Sequence, residues 1–375
     1  MLSPRTAIAA VYDKVSGKSP SYPRIILLNV TNSCNFACPM CSVSDARGQE
    51  LAAGAADLHF ELIRDVIQQS RRHGPIVHLF GGEPLLYKQI HDVIALVRRS
   101  HMISFLTTNG LLLQQHAAKL VTSGLAVLHV SLDGWDDDSQ TKRGNVQGSF
   151  DRIIAGVKEV VRCRSGKLPI LRMATVITEN NYHSLDKIQK VVAELGVKEW
   201  TIENHFFAVR GVVKAHAEFR QRTGIGEALP LHVIDGGRYL SEEQVLELEA
   251  SLARIRKNNE RYGMRIDFNW STDLHAYYSS AEVPTADSRC DAPYTRLEVY
   301  PSGQLSFCGG GHTIGNLHSS TIKGAWSGDK ANHFRDMHRS HRIFPMCFRC
   351  WGIQGTISFD DRLIQDGQLE PQRAA

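Results

Sequence analysis

Between residues 24 and 204 the chain repeats one pattern. A short apolar run is followed by a polar or glycine-rich word and then by a helix-length amphipathic stretch. The apolar runs lie at 24–30, 76–80, 103–107, 127–132, 170–177 and 199–203, and the helical patterns at 57–73, 89–99, 113–123, 149–164 and 183–195. Strands that alternate with helices imply βαβ units and a parallel sheet. Right-handed crossovers curl six such units into a closed or partial barrel. The fold class expected is therefore α/β, a partial (β/α)6 TIM-like barrel.

The polar words sit at one consistent place. The loop holding Cys34, Cys38 and Cys41 follows the first strand; FGGEP, TTNG, SLDG, TENN and ENH follow the next five. In α/β barrels the face beyond the C-terminal strand ends carries the active site. Six such words on one face mark it as the place of chemistry.

Residues 205–240 break the rhythm and read as an irregular linker or insertion. Residues 240–262 form a strong amphipathic helix, with Ser241 as N-cap and Gln244 three residues on in a capping-box pattern. RLEVYPSGQLSFC then signals a β-hairpin turning at Pro301-Ser302-Gly303. The expected organisation is an extension at 1–23, the barrel at 24–204, an insertion and linker helix at 205–284, a smaller C-terminal α+β domain at 285–360 and a tail at 361–375.

Eight cysteines divide as three, four and one: Cys34, Cys38 and Cys41; Cys290, Cys308, Cys347 and Cys350; and Cys163 alone in a helical stretch. No secretory signal opens the chain and no run approaches the length of a membrane span. The expected location is cytoplasmic, where clustered thiols indicate metal or redox chemistry. A net charge of +4 over 375 residues is too mild to indicate nucleic-acid binding.

Three thiols at C-x3-C-x2-C can hold zinc or an iron–sulfur cluster. The next histidine is His59, so no fourth protein ligand lies close in sequence. This spacing, on a loop after the first strand of a βα barrel, resembles the radical S-adenosylmethionine (SAM) superfamily. The resemblance implies a [4Fe-4S] cluster on Cys34, Cys38 and Cys41, with SAM chelating the open iron. It further implies reductive cleavage of SAM to a 5′-deoxyadenosyl radical that abstracts a substrate hydrogen, with the electron drawn from a donor such as flavodoxin or ferredoxin.

The supporting words extend the resemblance. Gly81, Gly82 and Glu83 resemble the motif that holds the methionyl amine. Ser131 and Asp133 resemble the ribose-side contacts, and Arg143 the arginine directed at the SAM carboxylate. Met40 stands where the family often has an aromatic residue, and its thioether can pack on adenine. Asn109 either shapes its turn or lines the pocket. The later cysteines resemble the SPASM/twitch extension. They imply one auxiliary [4Fe-4S] cluster ligated by Cys290, Cys308, Cys347 and Cys350; a zinc ribbon from the same thiols is the alternative. His312 is read as a surface-loop residue.

Function follows in outline: an enzyme that oxidises or rearranges a small-molecule natural-product precursor of sugar or cyclitol type, the auxiliary cluster accepting an electron. The alternatives are modification of a ribosomally made peptide, by crosslinking, epimerisation or oxidation, and a non-catalytic structural metal or iron–sulfur protein. Only 23 residues precede the first strand, which leaves no room for the N-terminal leader-binding domain such peptide-modifying enzymes often carry, though a separate protein could supply it. Glu203 and His205, past the sixth strand, are the candidate catalytic acid–base groups, with Asn204 beside them. Arg172 on the fifth strand can meet an anionic group.

Overall fold

The computed structural model describes residues 21–41, 56–226, 233–234, 238–268, 273–279, 290–308, 312–347 and 349–350. The expected extension up to residue 20 and the tail from 361 lie outside the described residues. The strands are β1 Ile25–Thr31, β2 Ile76–Gly81, β3 Ile103–Thr108, β4 Val127–Ser131, β5 Ile170–Ile177 and β6 Glu199–Asn204, followed by β7 Ala208–Val209, β8 Val233–Ile234, β9 Arg265–Phe268, β10 Arg296–Val299, β11 Gln304–Ser306 and β12 Thr313–Asn316. The helices are α1 Phe60–Ser70, α2 Ile90–Arg99, α3 Leu113–Ser123, α4 Asp137–Gly144, α5 Ser149–Cys163, α6 Leu185–Glu194, α7 Arg210–Thr223, α8 Glu242–Tyr262, α9 Leu274–Ser279, α10 Ala292–Thr295, α11 Ile322–Ser327 and α12 Asp329–His341.

One ten-stranded sheet runs in the order β12-β11-β10-β1-β2-β3-β4-β5-β6-β9. It is parallel from β10 to β9 and antiparallel through β10, β11 and β12. Parallel strands covered by helices are apolar on their outer face. Ile26, Leu28, Val30, Val77, Leu79, Leu106, Leu128 and Val130 meet that requirement and are fully buried. The helices answer with apolar stripes at 3.6-residue spacing: Ile90, Val93, Ile94 and Val97 on α2, and Ile153, Gly156, Val157 and Val160 on α5. Gly156 is needed because a Cβ there would lie 2.8 Å from the Leu113 Cβ on α3.

The sheet does not stop at residue 204. β9 adds to β6, and β10 adds to β1 on the opposite flank. The expected irregular linker at 205–240 also holds α7, fourteen residues long, which buries Val212, His216 and Phe219. Its sequence reads as irregular because a histidine occupies the apolar stripe. The helix α8 has the expected cap. Gln244 backbone N–H donates to Ser241 Oγ, and Gln244 Oε1 accepts from Ser241 N–H. Ser251 of α8 then accepts from Leu185 N–H at the start of α6, which fixes α8 against the barrel.

The inner face of the barrel has a different composition. Ile25, Ile76, Phe105 and Val127 form a separate apolar cluster near the N-terminal strand ends. Two residues farther along the same face stand His78, His129 and Arg172, and Glu199 is paired in register with Arg172. Among the described residues no helix is long and apolar enough to cross a membrane.

Candidate active site

The three thiols of the first loop rest on the FGGEP turn. Gly82 N–H donates to Thr31 O at 2.7 Å, and Glu83 N–H donates to Ser33 O at 2.8 Å. A Cβ on Gly82 would lie 2.1 Å from Ser33 O, and one on Gly81 would lie 2.4 Å from Thr31 O. Both obstacles are backbone, so only glycine lets the cysteine loop approach this closely. Gly81 also has φ +124°, where an L side chain is strained.

Glu83 is fully buried and its carboxylate is well supplied with donors. Thr108 Oγ1 donates at 2.7 Å, Asn109 N–H at 2.8 Å and Leu85 N–H at 3.0 Å. Burial still pushes its pKa above the usual carboxylate value against those bonds. Asn109 continues the tie: its side-chain amide donates to Asn35 Oδ1 at 2.8 Å. The turn after β2, the turn after β3 and the cysteine loop are therefore one hydrogen-bonded unit.

The other wall of the loop is α4, a helix with no apolar residue in its sequence DDSQTKRG. Side-chain bonds build it instead. Asp136 and Ser139 make a capping box, and Asp137 accepts from Gly148 and Phe150 N–H. Phe36 of the cysteine loop packs on Gly144, where a Cβ would lie 2.5 Å from its ring, and Ala37 N–H donates to Gly144 O.

This packing delivers Arg143 to the thiols. Arg143 Nε lies 2.6 Å from Asp133 Oδ2, and an Nη1 N–H donates to Ser131 O at 3.1 Å. Its guanidinium also faces Cys38, Cys41 and Cys34 electrostatically. Asp133 is held in turn by Val176 N–H, and Gln140 accepts from the Asp133 and Gly134 N–H groups. Two residues expected to hold SAM separately, Asp133 and Arg143, thus bind each other. Ser131 contributes its carbonyl to Arg143. A cavity of about 330 Å³ adjoins them, lined by Met40, Asp133, Arg143, Lys142, Arg238 and Tyr239 among others.

Glu203 ends the inner face of β6. Burial, and then repulsion from Asp133, raise its pKa to about 7. His205 is 1% exposed and lies within an aromatic group. Its ring lies 4.6 Å from Tyr239 and 5.9 Å from Phe207. Asn204 Oδ1 accepts from Tyr278 OH.

Lower in the barrel the polar inner face continues. Arg172 Nε lies 3.0 Å from Glu199 Oε2, so the arginine expected to meet an anion already faces one in the protein. His78 Nε2 is 2.9 Å from Thr107 Oγ1. Burial, with Arg172 adding repulsion, holds His129 at about 3. Burial, Arg296 and His129 likewise keep His78 neutral. His78, Phe80, Thr107, Ser131, Val176 and Glu203 remain partly solvent-accessible, whereas the outward residues between them are sealed. The inner face of the barrel therefore carries polar side chains above an apolar floor, several of them partly solvent-accessible. Strand reading missed His78, His129 and Glu199; the signal was polar residues recurring at period two within apolar runs.

The second thiol set comes from separate elements: Cys290 before α10, Cys308 after β11, and Cys347 and Cys350 after α12. Burial raises Cys290 to about 12 and lifts Cys308 and Cys347 well above the ordinary thiol value. Each also feels the others: Cys308 interacts with Cys347, Cys350 and Cys290, and Cys347 with Cys350 and Cys290. Half-buried thiols close enough to raise one another's pKa are the donor set a thiolate-ligated cluster relieves. The first set fits a cluster too, with three thiols on one loop facing a guanidinium. Among the described residues no three His, Cys, Asp or Glu side chains converge on a single-ion site. A multi-iron cluster spreads its ligands more widely than one ion does. Cys163 stands aside on α5, near Glu159.

Comparison with known proteins agrees with this division. Residues 28–192 match the radical SAM superfamily, and residues 290–351 match the SPASM iron–sulfur cluster-binding domain. The chain is 31% identical over 286 residues to a probable GTP 3′,8-cyclase of Methanopyrus kandleri, covering 76% of this chain and 81% of that protein. It is 29% identical over 344 residues to an AdoMet-dependent heme synthase of Methanosarcina barkeri, covering 88% of each. SuiB of Streptococcus suis, solved with SAM, shares its fold at a TM-score of 0.61 and 16% identity, over 88% of this chain and 71% of SuiB. The cofactors are SAM and iron–sulfur clusters in both regions. The barrel with its cysteine loop, and the second thiol set beyond it, are the two halves of an enzyme: this chain belongs to the radical SAM superfamily and carries a SPASM domain.

Proposed function

We propose that the enzyme abstracts a hydrogen atom from a polar small molecule held in the barrel lumen, oxidising or rearranging a precursor of sugar or cyclitol type. The observation that carries this reading is the inner face itself. An apolar floor is overlaid by His78, His129, Arg172 and Glu199, and above these by the small side chains of Ser131, Ala174 and Thr201. Such a surface offers hydrogen-bond donors and acceptors to hydroxyl groups and leaves room for a ligand.

In this reading Cys34, Cys38 and Cys41 hold the cluster that SAM completes, and Cys290, Cys308, Cys347 and Cys350 hold one auxiliary cluster. When bound, the first cluster and SAM supply the 5′-deoxyadenosyl radical that removes the substrate hydrogen. Gly81 and Gly82 let the cysteine loop seat. Glu83 locks the surrounding turns, and Met40 and Arg143 line the cavity that takes SAM. Asp133 fixes Arg143, and Ser131 holds it through its carbonyl. Glu203 has a pKa near neutrality and takes the substrate proton. His205 is an enclosed wall residue. Reducing electrons come from a flavodoxin or ferredoxin.

A ribosomally made peptide is the second reading. SuiB was also solved bound to its precursor peptide SuiA, again at a TM-score of 0.61, and the present chain shares that fold over 88% of its length. One experiment separates the two. The anaerobically reconstituted enzyme is given SAM, reductant and deuterated candidates, either cyclitols and sugars or peptides. Deuterium arriving in 5′-deoxyadenosine from a cyclitol or sugar is the expected result. Transfer only from a peptide replaces the first reading with the second, and complete absence of 5′-deoxyadenosine removes both.

A further inference from the structure

The second thiol set is joined to the barrel mouth by one side chain. Arg349 lies between Cys347 and Cys350 and is 2% exposed. Its φ is +60°, a conformation that costs a non-glycine residue about 1 kcal/mol or more and persists only where its surroundings impose it. The surroundings are specific. Arg349 Nε donates to Tyr277 O at 2.7 Å, and its guanidinium carbon lies 4.3 Å from the Phe207 ring centroid. Tyr277 OH lies 2.8 Å from Arg349 O and 2.9 Å from His205 O, so its proton bridges the two carbonyls.

Those contacts reach the end of β6. Tyr278 OH donates to Asn204 Oδ1 at 2.8 Å and accepts from His205 N–H at 3.3 Å. Phe207 stacks at 5.1 Å on Tyr239, which lines the cavity beside Asp133 and Arg143. A desolvated guanidinium over an aromatic face is a strong and geometrically demanding contact. Moving the Cys347–Cys350 loop therefore moves the support beneath Asn204, His205 and Phe207.

We propose that Arg349 is a positioning residue that makes the order of the β6 end depend on the second thiol set being ligated. The inference rests on reading Cys290, Cys308, Cys347 and Cys350 as one cluster site. With that cluster in place the loop is pinned, Arg349 is seated on Phe207, and residues 204–207 are held for the substrate. Without it the loop loosens and the seat is lost.

The test is amide hydrogen exchange at residues 204–207 on the full, anaerobically reconstituted chain, with iron content measured in parallel. Cys347→Ala should lose iron and speed exchange there about tenfold, equivalent to about 1.4 kcal/mol. Arg349→Gln should keep its iron and show the same acceleration. Undiminished iron in Cys347→Ala overturns the cluster assignment. Lost iron with unchanged exchange in Cys347→Ala overturns the positioning role alone. Arg349→Gln with full iron and unchanged exchange overturns it as well. Should Arg349→Gln lose iron, Phe207→Leu removes the same seat from the barrel side. That variant must accelerate exchange with iron retained; unchanged exchange, or loss of iron there too, also overturns the role.

Discussion

Arg143 and Asp133 face each other at 2.6 Å beside the cysteine loop, with side chains 12% and 3% exposed. Both come from the connection that follows β4, so the pair ties the turn at the end of β4 to α4, on which Phe36 of the cysteine loop is seated. A buried pair of this kind is costly to break from one side because the remaining charge is left without compensation. Arg143→Ala should therefore destabilise the fold by about 3–5 kcal/mol, read by denaturant unfolding. The double change Arg143→Ala with Asp133→Asn should cost clearly less than the sum of the single changes. Simple additivity would show that the pair is not coupled.

Gly82→Ala should act on one thiol set only. The added methyl meets Ser33 O at 2.1 Å, and backbone must shift to admit it. The variant should lose the iron of the first site and keep that of the second, roughly half the total by elemental analysis. Full iron content would mean that the cysteine loop tolerates displacement.

Glu203 gives a pH test with a defined sign. Its carboxyl titrates at about 7 rather than at 4.5. In its proposed role as a base it must be ionised, so product formation should rise as pH increases through 7. In Glu203→Gln the rise should vanish and the rate should fall about 10²–10⁴-fold. Stability moves the other way. Because the folded pKa is raised, wild type is fully favoured below pH 4.5 and loses that advantage as pH rises through 7. Glu203→Gln should thus gain stability relative to wild type over pH 4.5–7, measured by thermal melting at several pH values.

Ala174 faces the lumen between Ser131 and Thr201. Ala174→Leu fills that space with three further carbons. Substrate turnover should fall by about tenfold or more, as one badly placed group in a pocket commonly costs 1–3 kcal/mol. Cleavage of SAM without substrate should continue. Equal loss of both activities would place Ala174 outside the substrate space.

Much of the barrel was legible because its strands are apolar runs bounded by polar words. β5 spans Ile170–Ile177 and α3 spans Leu113–Ser123, as expected from their patterns. The missed elements lack that pattern. α4 is stabilised by carboxylates capping backbone N–H groups and carries no apolar stripe. α7 places His216 on its buried face, and β9, Arg265–Phe268, alternates charge with apolar residues over four positions. At the site, the cysteine spacing and GGEP were visible as words. The Arg143–Asp133 partnership was not, because residues ten apart in sequence meet only through the angle between β4 and α4.

Strand β10 lies parallel against β1, in register from Ile25 with Arg296 to Leu28 with Val299. The C-terminal region is thus bonded to the very strand that presents the first thiols. A chain ended before residue 290 would leave the amides and carbonyls of Ile25–Leu28 open along an apolar, buried strand, the kind of edge on which proteins associate. The C-terminal region thus covers the flank of β1, and a chain shortened to end before residue 290 is expected to aggregate more readily than the full one.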